Sequence, residues 1–163
     1  DLISISKGLT GGFLPMGITL AKETIFQSFI SDSPKKTFWH GHSFTANPLG
    51  CAAANASLDL LEKDPIKYLS FEEKHLSHLK KIKKLPFVKN IRVTGTIAAF
   101  DIEIGKNEGY LNNVGKRIKA LSIKKGLFIR PLGNVIYLLP PLCITDKQLE
   151  KSYRIIFEIL SDL

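Results

Sequence analysis

Lys7 stands where two unlike stretches meet in ISISKGLTGGFLPMG, residues 3–17. Ile3 and Ile5 alternate with Ser4 and Ser6, which predicts a strand over 2–6, and Gly8, Gly11 and Gly12 follow where that strand must end. An amine at such a junction is either a solvated surface charge or a nucleophile. The neighbouring Ser6 hydroxyl, a glycine backbone that a ligand can approach closely, and the apolar FLPMGITLA that predicts a buried strand over 13–20 favour the nucleophile. A lysine held between buried strands is partly desolvated, which favours the neutral amine that Schiff-base chemistry requires.

A second chemical cluster lies in FWHGHSFTANP, residues 38–48, where His40 and His42 flank Gly41, and Ser43 and Thr45 precede a helix start. Hydroxyls and free N–H groups ahead of a helix make an anion site. An ordinary capped loop with surface histidines is the other reading of the same residues. His75 and His78 share a helical face but lack an accompanying cysteine or carboxylate set at metal-ligand spacing, so they are expected at the surface.

The elements that must position these groups can be read from periodicity. ETIFQSFI predicts a short helix, and NPLGCAAANASLDLLE a longer one with Asn47 as N-cap, Pro48 at its first position and Leu49, Ala52, Ala53, Ala56 and Leu60 on its apolar face. A proline near residues 62–65 marks a boundary between two parts. Beyond it, Leu69, Leu76, Leu79, Ile82 and Leu85 predict a helix over 66–85 with Lys80, Lys81, Lys83 and Lys84 outside. IRVTGTIAAFDIEI and LFIRPLGNVIYLLPP predict two strand pairs, the second turning at Gly133–Asn134, with a helix over 110–126 between them. A capping box from Thr145 to Gln148 opens a last helix whose core face is Leu149, Tyr153, Ile156 and Leu160.

Composition narrows the classes. The 163 residues are 44% hydrophobic and 23% charged, without an apolar run long enough to span a membrane or a secretory pattern at the start, which predicts a cytoplasmic protein. Cys51 and Cys143 sit in apolar stretches and are expected buried and inert. The net charge of +8 would suit nucleic acid, but the basic run lacks interleaved aromatics or a reading module, so nucleic-acid and membrane partners are not expected.

SKGLTGGFLPMGITLA and HGHSFTANPLGCAAANASLDLLE together resemble the lysine region of class III aminotransferases, which depend on pyridoxal 5'-phosphate (PLP). GLFIRPLGNVIYLLPP resembles the members that act in biotin biosynthesis. The resemblance runs over essentially the whole chain. It implies an α/β protein, the C-terminal part of a fold type I PLP-dependent transferase: residues 1–63 would end the large PLP domain and 64–163 would form the small α+β C-terminal domain. Lys7 matches the lysine that binds PLP covalently and moves the reaction's proton. Ser43, usually threonine in relatives, matches the residue that binds the PLP phosphate of a partner subunit in a homodimer, and His42 also falls on the cofactor side. Arg130 matches the arginine that binds the substrate carboxylate, for which a planar fork is suited. Gly41 and Tyr137 fall on the substrate side. The implied reaction is transamination of the small keto-amino acid 7-keto-8-aminopelargonate, with S-adenosylmethionine, or else lysine, as amino donor.

The sequence departs from the family by lacking the Gly-Ser phosphate cup, the stacking aromatic and the aspartate for the pyridine nitrogen that relatives carry upstream of the lysine; Asp1 is too close to Lys7 to be that aspartate. The chain is therefore expected to be an incomplete and inactive portion of an enzyme. Another class III enzyme acting on an ω-amino acid or diamine, and a non-catalytic remnant serving as a binding module, are the alternatives.

Overall fold

A computed structural model describes residues 1–64, 69–104 and 113–163. Pro65 of the expected boundary and the expected helix starts at 66 and 110 lie outside the described residues. The chain divides into two compact units, Asp1–Pro65 and Ile66–Leu163. No helix among the described residues is long and apolar enough to cross a membrane.

In the first unit, β1 (Leu2–Ser6) and β2 (Gly17–Ala21) pair antiparallel in a register running from Leu2 opposite Ala21 to Ser6 opposite Gly17. A 3₁₀ turn over Lys7–Thr10 leaves β1, and β2 starts at Gly17 rather than at residue 13. Local chemistry explains the delay: the Thr10 hydroxyl donates to the Leu14 carbonyl at 2.6 Å, and Pro15 has no N–H to give to a ladder. Contrary to the buried strand expected there, Leu2, Ile3 and Leu20 remain exposed, because the unit's long helix packs on the Lys7–Thr10 turn rather than over the sheet.

That helix, α2 (Pro48–Lys63), follows the short α1 (Glu23–Gln27). Its start is as expected: Asn47 Oδ1 accepts from the Leu49 N–H at 2.9 Å and the Gly50 N–H at 3.4 Å, a cap worth about 1 kcal/mol. Its buried residues are Gly50 and Ala54, and the missing side chain of Gly50 lets the backbone approach Met16, where an added Cβ would meet Sδ at 3.2 Å. The expected face is corrected accordingly: Leu49 and Leu60 are 70% and 61% exposed and stand beside Ala52, Ala53 and Ala56 along an open groove. Cys51 is half-buried.

The second unit is built on the antiparallel sheet β3 (Val88–Thr94), β4 (Ile97–Ile102) and β5 (Val135–Leu138), in that order, with β4 central. Among the described residues three helices accompany it: α3 (Phe71–Ile82), α4 (Val114–Lys124) and α5 (Asp146–Ser161). Ala98, Phe100 and Ile102 of β4 have no exposed surface and join Leu79, Ile82, Ile118, Ile136, Leu149 and Ile156 in one core. At about 1.5–3 kcal/mol for each large apolar side chain, this burial is the dominant favourable contribution. The second expected strand pair reduces to β5 and a single bridge between Leu132 and Val135, since Pro131 cannot donate to a ladder. The turn does fall at Gly133–Asn134, with Gly133 at φ +62°.

On α5 the capping box forms as expected, the Gln148 N–H donating to Thr145 Oγ1 and the Thr145 N–H to Gln148 Oε1, and Leu149, Tyr153, Ile156 and Leu160 are buried. On α3 the lysines face outward as expected, but the core face is Phe71, His75, Leu79 and Ile82, while Leu69 and Leu76 are exposed. Cys143 is exposed, not buried.

His75 is the largest departure, for it has no exposed surface. Nε2 lies 3.0 Å from the Thr96 carbonyl and Nδ1 lies 2.6 Å from the Tyr153 hydroxyl. A carbonyl can only accept, so Nε2 carries the proton and the Tyr153 O–H donates to Nδ1. The neutral ring thus ties α3 both to the β3–β4 turn and to α5. His78 stacks on the Tyr153 ring at 4.9 Å between centroids.

Burial holds His75 below its ordinary pKa of 6.5, against the opposing bond to Thr96 and helped by His78; burial also lowers His78, against Glu150 and Asp146. Both imidazoles therefore bind protons more readily in the unfolded chain. Stability should be independent of their titration above pH 6.5 and fall as pH drops below it toward the lowered folded-state values. A thermal midpoint that declines over that window, with the decline diminished in His75→Gln and flattened in His75→Gln/His78→Gln, is the expected result; equal slopes in all three proteins would contradict it.

Candidate functional site

Lys7 follows directly from β1. Ser6 is extended, at φ −149°, and Lys7 turns to φ +44°, a left-handed conformation that costs an L-residue about 1–2 kcal/mol. The Gly12 N–H donates to the Lys7 carbonyl at 3.1 Å and closes the turn. Strand pairing on one side and this closed turn on the other fix the backbone of an amine that is exposed and has no carboxylate partner among the described residues. The expected desolvation between buried strands is not met in this unit, since both strands leave their side chains largely exposed.

The loop from Phe38 to Asn47 is knitted by its own groups. Thr45 Oγ1 accepts from the His42 N–H at 3.0 Å, His42 Nδ1 from the Phe44 N–H at 3.2 Å, and the His42 carbonyl from the Thr45 N–H at 2.9 Å. Asn47 occupies the first N–H groups of α2, so the free donors are not at the helix terminus that the sequence suggested. They lie one turn upstream: the Ser43 hydroxyl and N–H take no partner among the described residues, which leaves two donors on one exposed residue for an oxyanion. Ala46, at φ +54°, redirects the chain into the helix. His40, His42, Thr45 and Asn47 line a concavity of about 720 Å³ with Gly17 and Thr19 of β2, whereas Lys7, Gly41 and Ser43 are not among its lining residues.

In the second unit the structure brings Arg130 and Tyr137 to one cavity of about 340 Å³. Its remaining walls are mostly apolar, including Leu127, Ile129, Leu138, Pro140 and Leu149. Arg130 is exposed and has neither an ion pair nor a hydrogen bond among the described residues. Three other cations of this unit are committed: Arg92 to Asp101 at 2.9 Å, Lys74 to Asp146 at 2.7 Å and Lys125 to Glu158 at 2.8 Å. An unpaired guanidinium at an apolar hollow can take a carboxylate on an aliphatic chain, with the Tyr137 hydroxyl as a second polar contact.

Several positioning groups escaped the sequence. Asn134 is buried; its carbonyl accepts from the Ile102 N–H at 2.9 Å and its side-chain amide donates to the Ile102 carbonyl at 3.3 Å, hooking the turn to the end of β4. A Gly-Asn turn signals its own geometry but not that anchor. The cavity wall from Leu149 and Ser152 of α5 required knowing which strand that helix covers. No set of three or more His, Cys, Asp or Glu residues placed to hold a metal occurs among the described residues.

Comparison with known proteins gives the chain's relatives. The chain is 49% identical over all of its 163 residues to the adenosylmethionine-8-amino-7-oxononanoate aminotransferase of Synechococcus elongatus, and 38% identical to that of Helicobacter pylori; it covers 38% of the length of each. The crystal structure of the Methanocaldococcus jannaschii protein of the same name superimposes with a TM-score of 0.88 at 32% identity, over 99% of this chain and 39% of that one. The chain thus spans about two fifths of the relatives it matches. Residues 1–160 match the family described as aminotransferase class III, and the chain belongs to that family.

Proposed function

We propose that this chain is the C-terminal part of an enzyme that aminates the ketone of 7-keto-8-aminopelargonate in biotin biosynthesis, with S-adenosylmethionine as amino donor. The first unit would end the large cofactor domain and the second would be the small C-terminal domain. The names of the relatives support the reaction and the donor. The observation that carries the reading is Arg130, an unpaired guanidinium at an apolar cavity shared with Tyr137. A carboxylate at one end of a saturated chain satisfies both features. A cytoplasmic homodimer is part of the same proposal.

Class III aminotransferases use PLP. The donor set on Ser43 fits its phosphate, since a hydroxyl and an N–H on one residue are both unspent, and the exposed Lys7 amine fits its aldehyde. When bound, the cofactor supplies the electron sink for the carbanion that transamination requires. Ser43 would hold the phosphate of the partner subunit's cofactor, and His42 orients that loop through its bonds to Phe44 and Thr45. Lys7 would hold the cofactor through Nζ, and its amine, when not so engaged, would serve as the base and acid that carries protons to and from the reacting carbons. Arg130 would receive the substrate carboxylate in its fork, and Tyr137 would add polarity to an otherwise apolar cavity; Gly41, where an added Cβ would meet nothing within 4 Å, is proposed on the substrate side as well.

Borohydride reduction of a full-length holoenzyme carrying these residues should fix PLP on the peptide that contains Lys7, and Lys7→Ala should abolish transamination while the far-ultraviolet dichroism stays unchanged. Label on any other lysine would remove Lys7 from this role. Arg130→Ala should lower kcat/KM for the carboxylate-bearing keto substrate by roughly 10²-fold, about 3 kcal/mol for a charged contact truncated in a closed site. Arg130→Lys should recover part of that loss, because a point charge cannot reproduce the fork. Unchanged kinetics in the alanine variant would place the carboxylate anchor elsewhere.

A further inference from the structure

Gly115, the second residue of α4, is buried, and its missing side chain has an unusual neighbour. A Cβ built on it would stand 2.1 Å from the Gly133 carbonyl oxygen and 2.9 Å from Pro131 Cβ. Contacts under 3.0 Å do not occur for real Cβ atoms, so helix and turn would have to part by about an ångström to admit one methyl. At Gly8, Gly12, Gly41, Gly95 and Gly126, by contrast, an added Cβ would meet nothing within 4 Å. Glycine is ordinarily a weak helix residue that alanine improves. At this position the sign reverses, because the obstruction is backbone and a proline ring rather than the end of a flexible side chain.

On the turn's side of the contact, the recoil is directed by what holds each end. Asn134 is pinned to Ile102 through both its carbonyl and its amide, and β5 begins at the next residue in register with β4. Leu132 and Val135 exchange two hydrogen bonds of 2.9 Å, so the turn moves as a unit. The side that can yield is Pro131, and Arg130 precedes it in a segment without ladder bonds of its own. A displacement forced at Gly133 and Pro131 is therefore passed to the residue that faces the cavity.

We infer that Gly115 is a positioning residue for Arg130: the close approach of α4 to the Pro131–Gly133 turn sets where the guanidinium stands. The inference rests on the reading of Arg130 as the carboxylate anchor. It says that the small residue on α4 governs the affinity for the carboxylate-bearing substrate, although it touches neither the substrate nor Arg130 itself. A shift of about an ångström in a bidentate clamp can cost as much as 10²-fold.

The test uses a full-length holoenzyme carrying these residues, with Gly115→Ala made alone and together with Arg130→Ala. In the Arg130 enzyme, Gly115→Ala should raise KM for the keto substrate tenfold or more and change kcat by less than about threefold. In the Arg130→Ala background the same substitution should add no further rise, since the group it misplaces is gone. An equal rise in both backgrounds would show a general structural effect and overturn the inference. If Arg130→Ala alone leaves KM unchanged, the anchor reading itself fails, and this inference falls with it. Should Gly115→Ala not fold, Pro131→Ala loosens the same contact without adding atoms; it should raise KM severalfold with Arg130 present and not without it, and equal effects would again overturn the inference.

Discussion

Strand β4 is held on both edges and buried at Ala98, Ala99, Phe100 and Ile102, and the placement of the second unit's chemistry follows from that constraint. Its register with β5 runs from Ala98 opposite Leu138 to Asp101 opposite Val135. Ile136 and Leu138 are buried while Val135 and Tyr137 are half-buried, so a slip of one residue would exchange the two sets. The core residues of β4 oppose such a slip, because it would expose Ile136 and bury the Tyr137 hydroxyl at a cost of a few kcal/mol. Asn134 extends the same register by one hook beyond the strand. Arg130 therefore hangs from a turn whose far end cannot move.

Electrostatics distinguishes Arg130 from the paired cations of its unit. Arg92, Lys74 and Lys125 each meet a carboxylate of the same unit, in exposed pairs worth about 0–1 kcal/mol apiece. Arg130 has no such companion among the described residues and borders apolar side chains instead. A cation kept from internal partners retains its full capacity for an incoming carboxylate. In the first unit Ser43 shows the same economy: its neighbours' N–H groups are spent within the loop, and its own donors are left over.

Features set by neighbours in sequence were legible, and features set by distant partners were not. Asn47 with Pro48, and Thr145 with Gln148, are caps whose partners lie within three residues. The Gly133–Asn134 turn and the core face of α5 are equally local. His75 was read as a surface residue because its partners, Thr96 and Tyr153, come from 21 and 78 positions away, and spacing along α3 says nothing of either. On α2 the pattern of leucines and alanines points to one face, whereas the residues buried are Gly50, in close approach to Met16, and Ala54. Lys7 and Arg130 were found through resemblance to a family; periodicity alone placed one at a strand end and the other near a turn.

The central claim is that one chain supplies both the cofactor-binding amine, Lys7, and the carboxylate anchor, Arg130. The most direct measurement is a crystal structure of a full-length holoenzyme carrying these residues, soaked with the keto substrate. The account predicts continuous density between Lys7 Nζ and the cofactor in the substrate-free crystal, and in the soaked crystal a substrate carboxylate in the Arg130 fork at about 2.8 Å from two guanidinium nitrogens. A carboxylate bound by another cation, with Arg130 turned to solvent, would contradict it.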